Sequence, residues 1–229
     1  MKSKYALAIA FAAACATGAH AAEVSYNIGA VSLYKSSGVD QDYDTTDGAF
    51  NKAARPAIQG GVDVDLGNGL YVGNWNSTGK FEGASLEVDV YGGYAGELSG
   101  GLGYDVGYAH YYYPGQSSWN GGELYLSLSS GGFTAKVTNG LNGSTKDEFG
   151  AAKRRLSLSY DHAISEQVGV TVTYGMRNKA AGSFNDFAVG ASYALGGDLS
   201  VSATYSGATD SASDAARKNR LVFGLSQGF

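Results

Sequence analysis

The chain has 229 residues, with 35 glycines, two prolines and one cysteine, and its 16 Lys and Arg against 21 Asp and Glu give a net charge of −5. The acidic balance argues against nucleic acid as a partner, and a lone Cys15 excludes an intrachain disulfide. A mean hydropathy just below zero excludes a bundle of membrane helices, but not a barrel whose inner face is polar.

The chain begins with a charged Met1-Lys2-Ser3-Lys4, an apolar Ala-rich run and an Ala19-His20-Ala21 site. This order is that of a secretory signal peptide, so 1–21 is expected to be cleaved, leaving 22–229 as the mature domain. Cys15 after Ala12-Ala13-Ala14 is a rival lipidation site, but it lacks a branched aliphatic three residues before it. Twelve segments then alternate apolar and polar residues: 24–34, 56–66, 70–76, 86–97, 102–113, 122–129, 133–139, 155–161, 168–177, 184–195, 199–206 and 220–229. Each has the length of a membrane-crossing β-strand, and none is a membrane-length apolar run. In the fourth, Leu86, Val88 and Val90 share one face while Glu87, Asp89 and Tyr91 share the other.

The connections alternate in length. Those at 35–55, 77–85, 114–121, 139–154, 178–183 and 207–219 are long, and those at 67–69, 98–101, 130–132, 162–167 and 196–198 are short. The pattern predicts an all-β fold: a single antiparallel transmembrane barrel of 12 strands, with short periplasmic turns, longer external loops and both termini at the periplasmic side. Aromatics on the expected outer face gather at two heights. Tyr94, Tyr104, Tyr160, Tyr193 and Phe229 fall near the periplasmic ends, while Tyr112, Tyr174 and Tyr205 fall near the external ends, as membrane-interface girdles do. Trp75 and Trp119, near external strand ends, are expected to be further anchors. Phe229, Leu225, Phe223 and Leu221 share one face of the last strand. A chain stopping at an aromatic resembles the terminal strand read by the outer-membrane assembly machinery, although Gln227 interrupts the pattern. Lipid and lipopolysaccharide are the expected surroundings.

Several motifs resemble the TorF family of porins: Pro56-Ala57-Ile58-Gln59-Gly60-Gly61-Val62-Asp63, Asn68-Gly69-Leu70-Tyr71-Val72-Gly73-Asn74-Trp75, 87–97, and Tyr104-Asp105-Val106-Gly107 through Tyr113-Pro114-Gly115. Gly38-Val39-Asp40-Gln41 also looks like a segment of that family. The chain departs from it at Ser36 and Ser37, where an aromatic and an arginine are usual, so no role of that arginine carries over. The resemblance implies an outer-membrane channel, and it speaks to architecture more than to substrate.

With the apolar set outward, the lumen gains an acidic wall of Asp63, Asp65, Glu87, Asp89, Asp105 and Glu123 and a basic wall of Lys136, Arg155, Arg177 and Arg220. Opposed walls set up a transverse field that orients dipolar solutes and filters ions. Tyr91, Tyr111, Tyr113 and Tyr125 also point inward, either as a hydrogen-bonding slide for a sugar or nucleoside or as volume filler. A barrel of about eight strands is filled and one of about sixteen is open, so twelve admits two readings. One is passive diffusion of small hydrophilic solutes or ions. The other is a non-conducting structural or surface-interaction barrel with a charge-paired interior.

No metal or other cofactor is implied, and no enzyme. The nucleophile-elbow pattern at 224–228 needs a following helix, yet the chain ends there. Asp40, Asp42, Asp44 and Asp47 ahead of Gly48 begin like a calcium loop, but Thr45 and Asn51 stand where a glycine and a glutamate are needed. This segment is expected to be a solvated acidic loop, with a weak divalent site bridging to lipopolysaccharide phosphates as its alternative.

Overall fold

A computed structural model describes residues 22–42, 54–182, 184–211 and 214–229. The expected leader at 1–21 and the acidic residues Asp44 and Asp47 lie outside the described residues. The strands are β1 (Glu23–Val31), β2 (Lys35–Ser36), β3 (Val39–Asp40), β4 (Ala57–Gly67), β5 (Leu70–Phe81), β6 (Ala84–Leu98), β7 (Leu102–Tyr112) and β8 (Gly121–Ser130). They continue as β9 (Phe133–Gly143), β10 (Arg154–Ala163), β11 (Val168–Arg177), β12 (Asp186–Gly196), β13 (Leu199–Ala208) and β14 (Arg220–Gly228). All but β2 and β3 form one closed antiparallel barrel in chain order, sealed where β14 returns to β1. The seam pairs Asn27 with Gly228 through Val31 with Gly224. Tyr26 and Phe229 exchange backbone bonds of 3.2 and 2.9 Å beside it. Twelve strands in a single closed barrel are what the alternation predicts.

The period-two pattern sorts the side chains into two sets. The apolar set faces out: Val90 is 55% exposed, and Ile28, Val72, Leu126, Val189 and Phe223 are comparably open. The polar set faces in, and Glu87, one peptide bond from an outward Val88, is only 4% exposed. The expected girdle aromatics, Tyr94, Tyr104, Tyr112, Tyr160, Tyr174, Tyr193, Tyr205 and Phe229, have the parity of the outward set, with the rings of Tyr94 and Tyr104, and of Phe133 and Tyr160, tilted against each other at 35°.

One connection departs from the expected rhythm. The third strand was expected over 70–76 with a long loop over 77–85, but β5 runs to Phe81 and turns into β6 through Glu82-Gly83 alone. The cause is Phe81, which is fully buried and pulls the end of the strand inward. The strand absorbs that shift as an irregularity in its pairing between Thr78 and Phe81. At the other end of β1, the expected strand 24–34 stops at Val31, and the chain then turns into the barrel.

Glycines on the inner face make room for rings. Tyr91 on β6 lies across Gly73 of β5, and a Cβ there would sit 2.5 Å from both the Tyr91 ring and Asp63 Oδ1. Tyr71 likewise lies across Gly93. Aromatic rings laid over strand glycines replace the missing side-chain contacts and keep the backbone ladder shielded. Gly73→Val is therefore expected to lower unfolding stability by about 2–3 kcal/mol through overpacking. The check is the urea midpoint of the refolded barrel, read against the unsubstituted chain, and an unchanged midpoint would show that the rings yield without cost.

Candidate functional site: the lumen and its mouth

The lower wall of the lumen, toward the short turns, is a lattice of phenols and carboxylates. Tyr91 donates to Asp63 at 2.5 Å, reaching from β6 over β5 to β4. Tyr71 donates to Asp105 at 2.6 Å and shares a 2.5 Å contact with the Tyr125 hydroxyl, so β5, β7 and β8 are tied together inside the barrel. Higher on the same wall, toward the long-loop end, Tyr111 donates to Glu123 at 2.8 Å, while lower down the Lys136 ammonium rests 4.3 Å from the centre of the Tyr125 ring. These phenols donate to carboxylates that would otherwise lose water without compensation. Asp65, by contrast, is exposed at the strand end, where its Oδ1 accepts the Gly67 N–H at 2.8 Å. It shapes a turn more than a wall.

At the long-loop end, the short hairpin β2–β3 folds into the barrel. Its turn, Ser37-Gly38, has φ of 47° and 80°, the left-handed pair of a tight two-residue hairpin. Gly38 is pressed against Gly207 and the Asp186 side chain, where a Cβ would sit 2.7 Å from each. The Ser37 carbonyl accepts from Arg177 at 2.7 Å. Asp40, 1% exposed, is held by Lys35 at 2.6 Å and by Arg220 at 3.0 Å. Burial pulls the Lys35 ammonium below the ordinary lysine pKa, and the hydrogen bond to Asp40 opposes that shift. On the other arc of the ring, Tyr34 packs edge-on against Trp75 at 5.6 Å and near Phe81. Phe81 meets Tyr113 at 5.0 Å, and Tyr113 meets Trp119 at 5.6 Å. The hairpin and its leading residues thus touch inward side chains of β5 as well as β11, β12 and β14.

Three expectations change here. Trp75 and Trp119 are not outward anchors: Trp75 has the inward parity of Tyr71 and Ser77, and both tryptophans pack on a buried aromatic cluster. Asp40 and Asp42 are not part of a solvated loop, since both are buried and ion-paired, Asp42 with Arg55 at 2.8 Å. Among the described residues no His, Cys, Asp or Glu cluster has the geometry of a metal site. The basic wall is also not purely basic. Asp186, 2% exposed at the start of β12, takes Arg155 at 2.6 Å and Arg177 at 3.2 Å, and Asp40 takes Arg220. The sequence signal for Asp186 was present, because it shares the inward parity of Ala188 and Gly190. Asp40 carried no such signal, since β2 and β3 are too short to show a period.

The remaining imbalance lies on β6 to β8. Glu87, Asp89 and Glu123 face inward, and among the described residues none of the three has a Lys or Arg within ion-pair distance. Arg155, Arg177 and Arg220, by contrast, are all ion-paired. Ser226, the centre of the apparent nucleophile motif, sits inside β14, paired with Gly29 and Ser200.

No curated protein matches the sequence. Among solved structures, the KdgM porin superposes with a TM-score of 0.59 at 10% identity, over 90% of this chain and 99% of that one. The KdgM porin in complex with disordered oligogalacturonate gives 0.56 at 9%, over 90% and 98%. The NanC porin gives 0.51 at 13%, over 90% and 98%. At such identities the likeness is one of fold. The TorF name suggested by the sequence motifs is not shown by these matches. A family profile covers residues 14–226, and the chain belongs to that family, described as a bacterial protein of unknown function (Gcw_chp).

Proposed function

We propose that this chain is an outer-membrane channel for passive diffusion of small hydrophilic solutes or ions, narrowed at its external mouth by the β2–β3 hairpin. The observation that carries this is the inverted barrel: exposed Val, Leu and Ile outside and carboxylates, guanidinium groups and phenols inside. A water-soluble monomer does not leave so continuous an apolar band uncovered. In lipid, a closed strand ladder satisfies every backbone group without water. The fold shared with the KdgM and NanC porins, the leader-like 1–21 and the terminal Phe229 support export to the outer membrane, with lipid and lipopolysaccharide around the barrel and the assembly machinery reading its last strand. The TorF-like motifs agree with the same reading, as do the two walls, which give the lumen a sign-dependent filter.

A second reading, a non-conducting surface barrel, draws on a specific observation. Leu33, Phe81 and Ser77 are buried to 1% exposure or less at the mouth, and Asp40 and Asp186 are ion-paired there. Single-channel recording of the refolded mature chain separates the two. Steady conductance is expected, whereas stably inserted but silent protein would establish the second reading. Replacing 35–41 with a short Gly-Ser link is expected to enlarge the conductance, because it removes an element that enters the lumen at that end.

Neutralising the acidic wall tests its part in the filter. In a salt gradient, Glu87→Gln with Asp89→Asn is expected to move the reversal potential toward anion preference, and an unchanged potential would remove both residues from the constriction. Asp40→Asn leaves Lys35 and Arg220 without their buried partner, for an expected loss of about 3 kcal/mol in urea unfolding. In the same variant, the open-channel current is expected to become noisier as the hairpin loosens.

A further inference from the structure

Among the described residues, one group of inward carboxylates has no Lys or Arg within ion-pair distance. Glu87 and Asp89 stand two residues apart on the inward face of β6, and Glu123 stands on β8 beyond Tyr111 of β7. Glu87 is 4% exposed, and its Oε2 is buried with no hydrogen-bond partner; Asp89 Oδ1 is in the same condition. On the opposite arc, comparably buried carboxylates each hold cations: Asp186 has Arg155 and Arg177, and Asp40 has Lys35 and Arg220. Around the unanswered group stand aromatic rings. The phenols of Tyr34 and Tyr113 reach Glu87, and Tyr111 donates to Glu123 at 2.8 Å.

The same lumen shows what fits such a place. Lys136 lays its ammonium over the face of Tyr125 at 4.3 Å, with Glu123 and Asp105 as its nearby negative charges. An ammonium is thereby already set over a ring with carboxylates near it, and one of those carboxylates, Glu123, belongs to the group itself. A chelated metal ion does not suit the group as well, since among the described residues no three such side chains converge with metal-ligand geometry.

We propose that Glu87, Asp89 and Glu123, walled by Tyr34, Tyr111 and Tyr113, form a subsite for the alkylammonium head of a small organic cation. The head enters from the lumen, where Asp89 and Glu123 are partly exposed, and Glu87 supplies charge from behind them. The methylene tail lies against Tyr111, the partly exposed ring of the three, since Tyr34 and Tyr113 are covered by Trp75, Phe81 and Trp119; a hydrated sodium ion does not use that contact. This inference rests on the channel reading, since it places the subsite on the path of the solute.

Trp75 pairs directly with Asp89 across β5 and β6, so indole fluorescence reports on the site. The refolded mature chain in detergent would be titrated with n-butylammonium chloride and, as the chain-matched anion, with sodium butyrate. Saturable quenching by the ammonium alone is expected, weakened by about tenfold or more in Glu87→Gln with Asp89→Asn. Both substitutions relieve crowded negative charge, so the variant is expected to fold; Asp65→Asn at the far end of the lumen, which is expected to leave the titration unchanged, serves as the control. A non-saturating response, equal quenching by butyrate, an affinity unmoved in the double variant, or tighter displacement by magnesium than by sodium would each overturn the proposal. Bilayer recording of the same preparation keeps the two ideas apart. Conductance without saturable quenching overturns the subsite alone, and saturable quenching in a silent barrel overturns the channel alone.

Discussion

Everything in this molecule depends on the closure of the strand ladder at β1 and β14. An open sheet of this sequence would leave two edges of unpaired backbone and an apolar face with nothing to cover it. Closure removes the edges and also decides which side is inside, because side chains alternate strictly and one register fixes them all. The seam is made by Gly224, Gly228, Gly29 and their partners, where slender residues let the two strands meet without side-chain conflict. Once it is made, the carboxylates of β4, β6, β7 and β8 have nowhere to point but inward.

Turning so many acids inward creates a second problem, which the tyrosines address. A buried carboxylate needs donors, and a phenol supplies one while filling the volume of a wide barrel. The geometry requires a gap in the intervening strand, since Tyr91 must cross β5 and Tyr71 must cross β6. Gly73 and Gly93 provide those gaps. Glycine, tyrosine and aspartate on three successive strands therefore act as a single unit, and none of the three positions is explained by its own strand alone.

This interdependence sets what could be read from the sequence. The strands, the inward parity of Glu87 and Tyr125 and the outward parity of Val90 follow from a period that any ten-residue segment displays. Tyr71 and Asp186 carried the same parity signal and could have been placed with the wall. Trp75 carried it too, but a preference for tryptophan at membrane interfaces argued the other way, and packing against Tyr34 and Phe81 prevailed. The hairpin was not legible at all. Its strands are two residues each, and what holds it is long-range: Asp40 to Arg220 and Ser37 to Arg177, contacts between positions far apart in the chain. Trp119 sits in a loop, where no period exists to orient it.

The hairpin ties the width of the mouth to the pattern of charge around it. Asp40 both anchors the segment that narrows the mouth and neutralises Arg220, while the Ser37 carbonyl occupies Arg177. If the segment moved outward, the mouth would widen and two guanidinium groups would lose a partner in the same step. Arg177 would keep Asp186, but Arg220 would face the lumen with its charge uncompensated. The basic wall would then approach the strength that its residue list alone suggests, opposite an acidic wall that is already unpaired. Lys35 would leave on the same hairpin as Asp40, so the net charge of the mouth would stay the same while its pattern changed, with Arg220 exposed in place of a closed Lys35–Asp40–Arg220 cluster, because the same carboxylate serves as both latch and counter-ion.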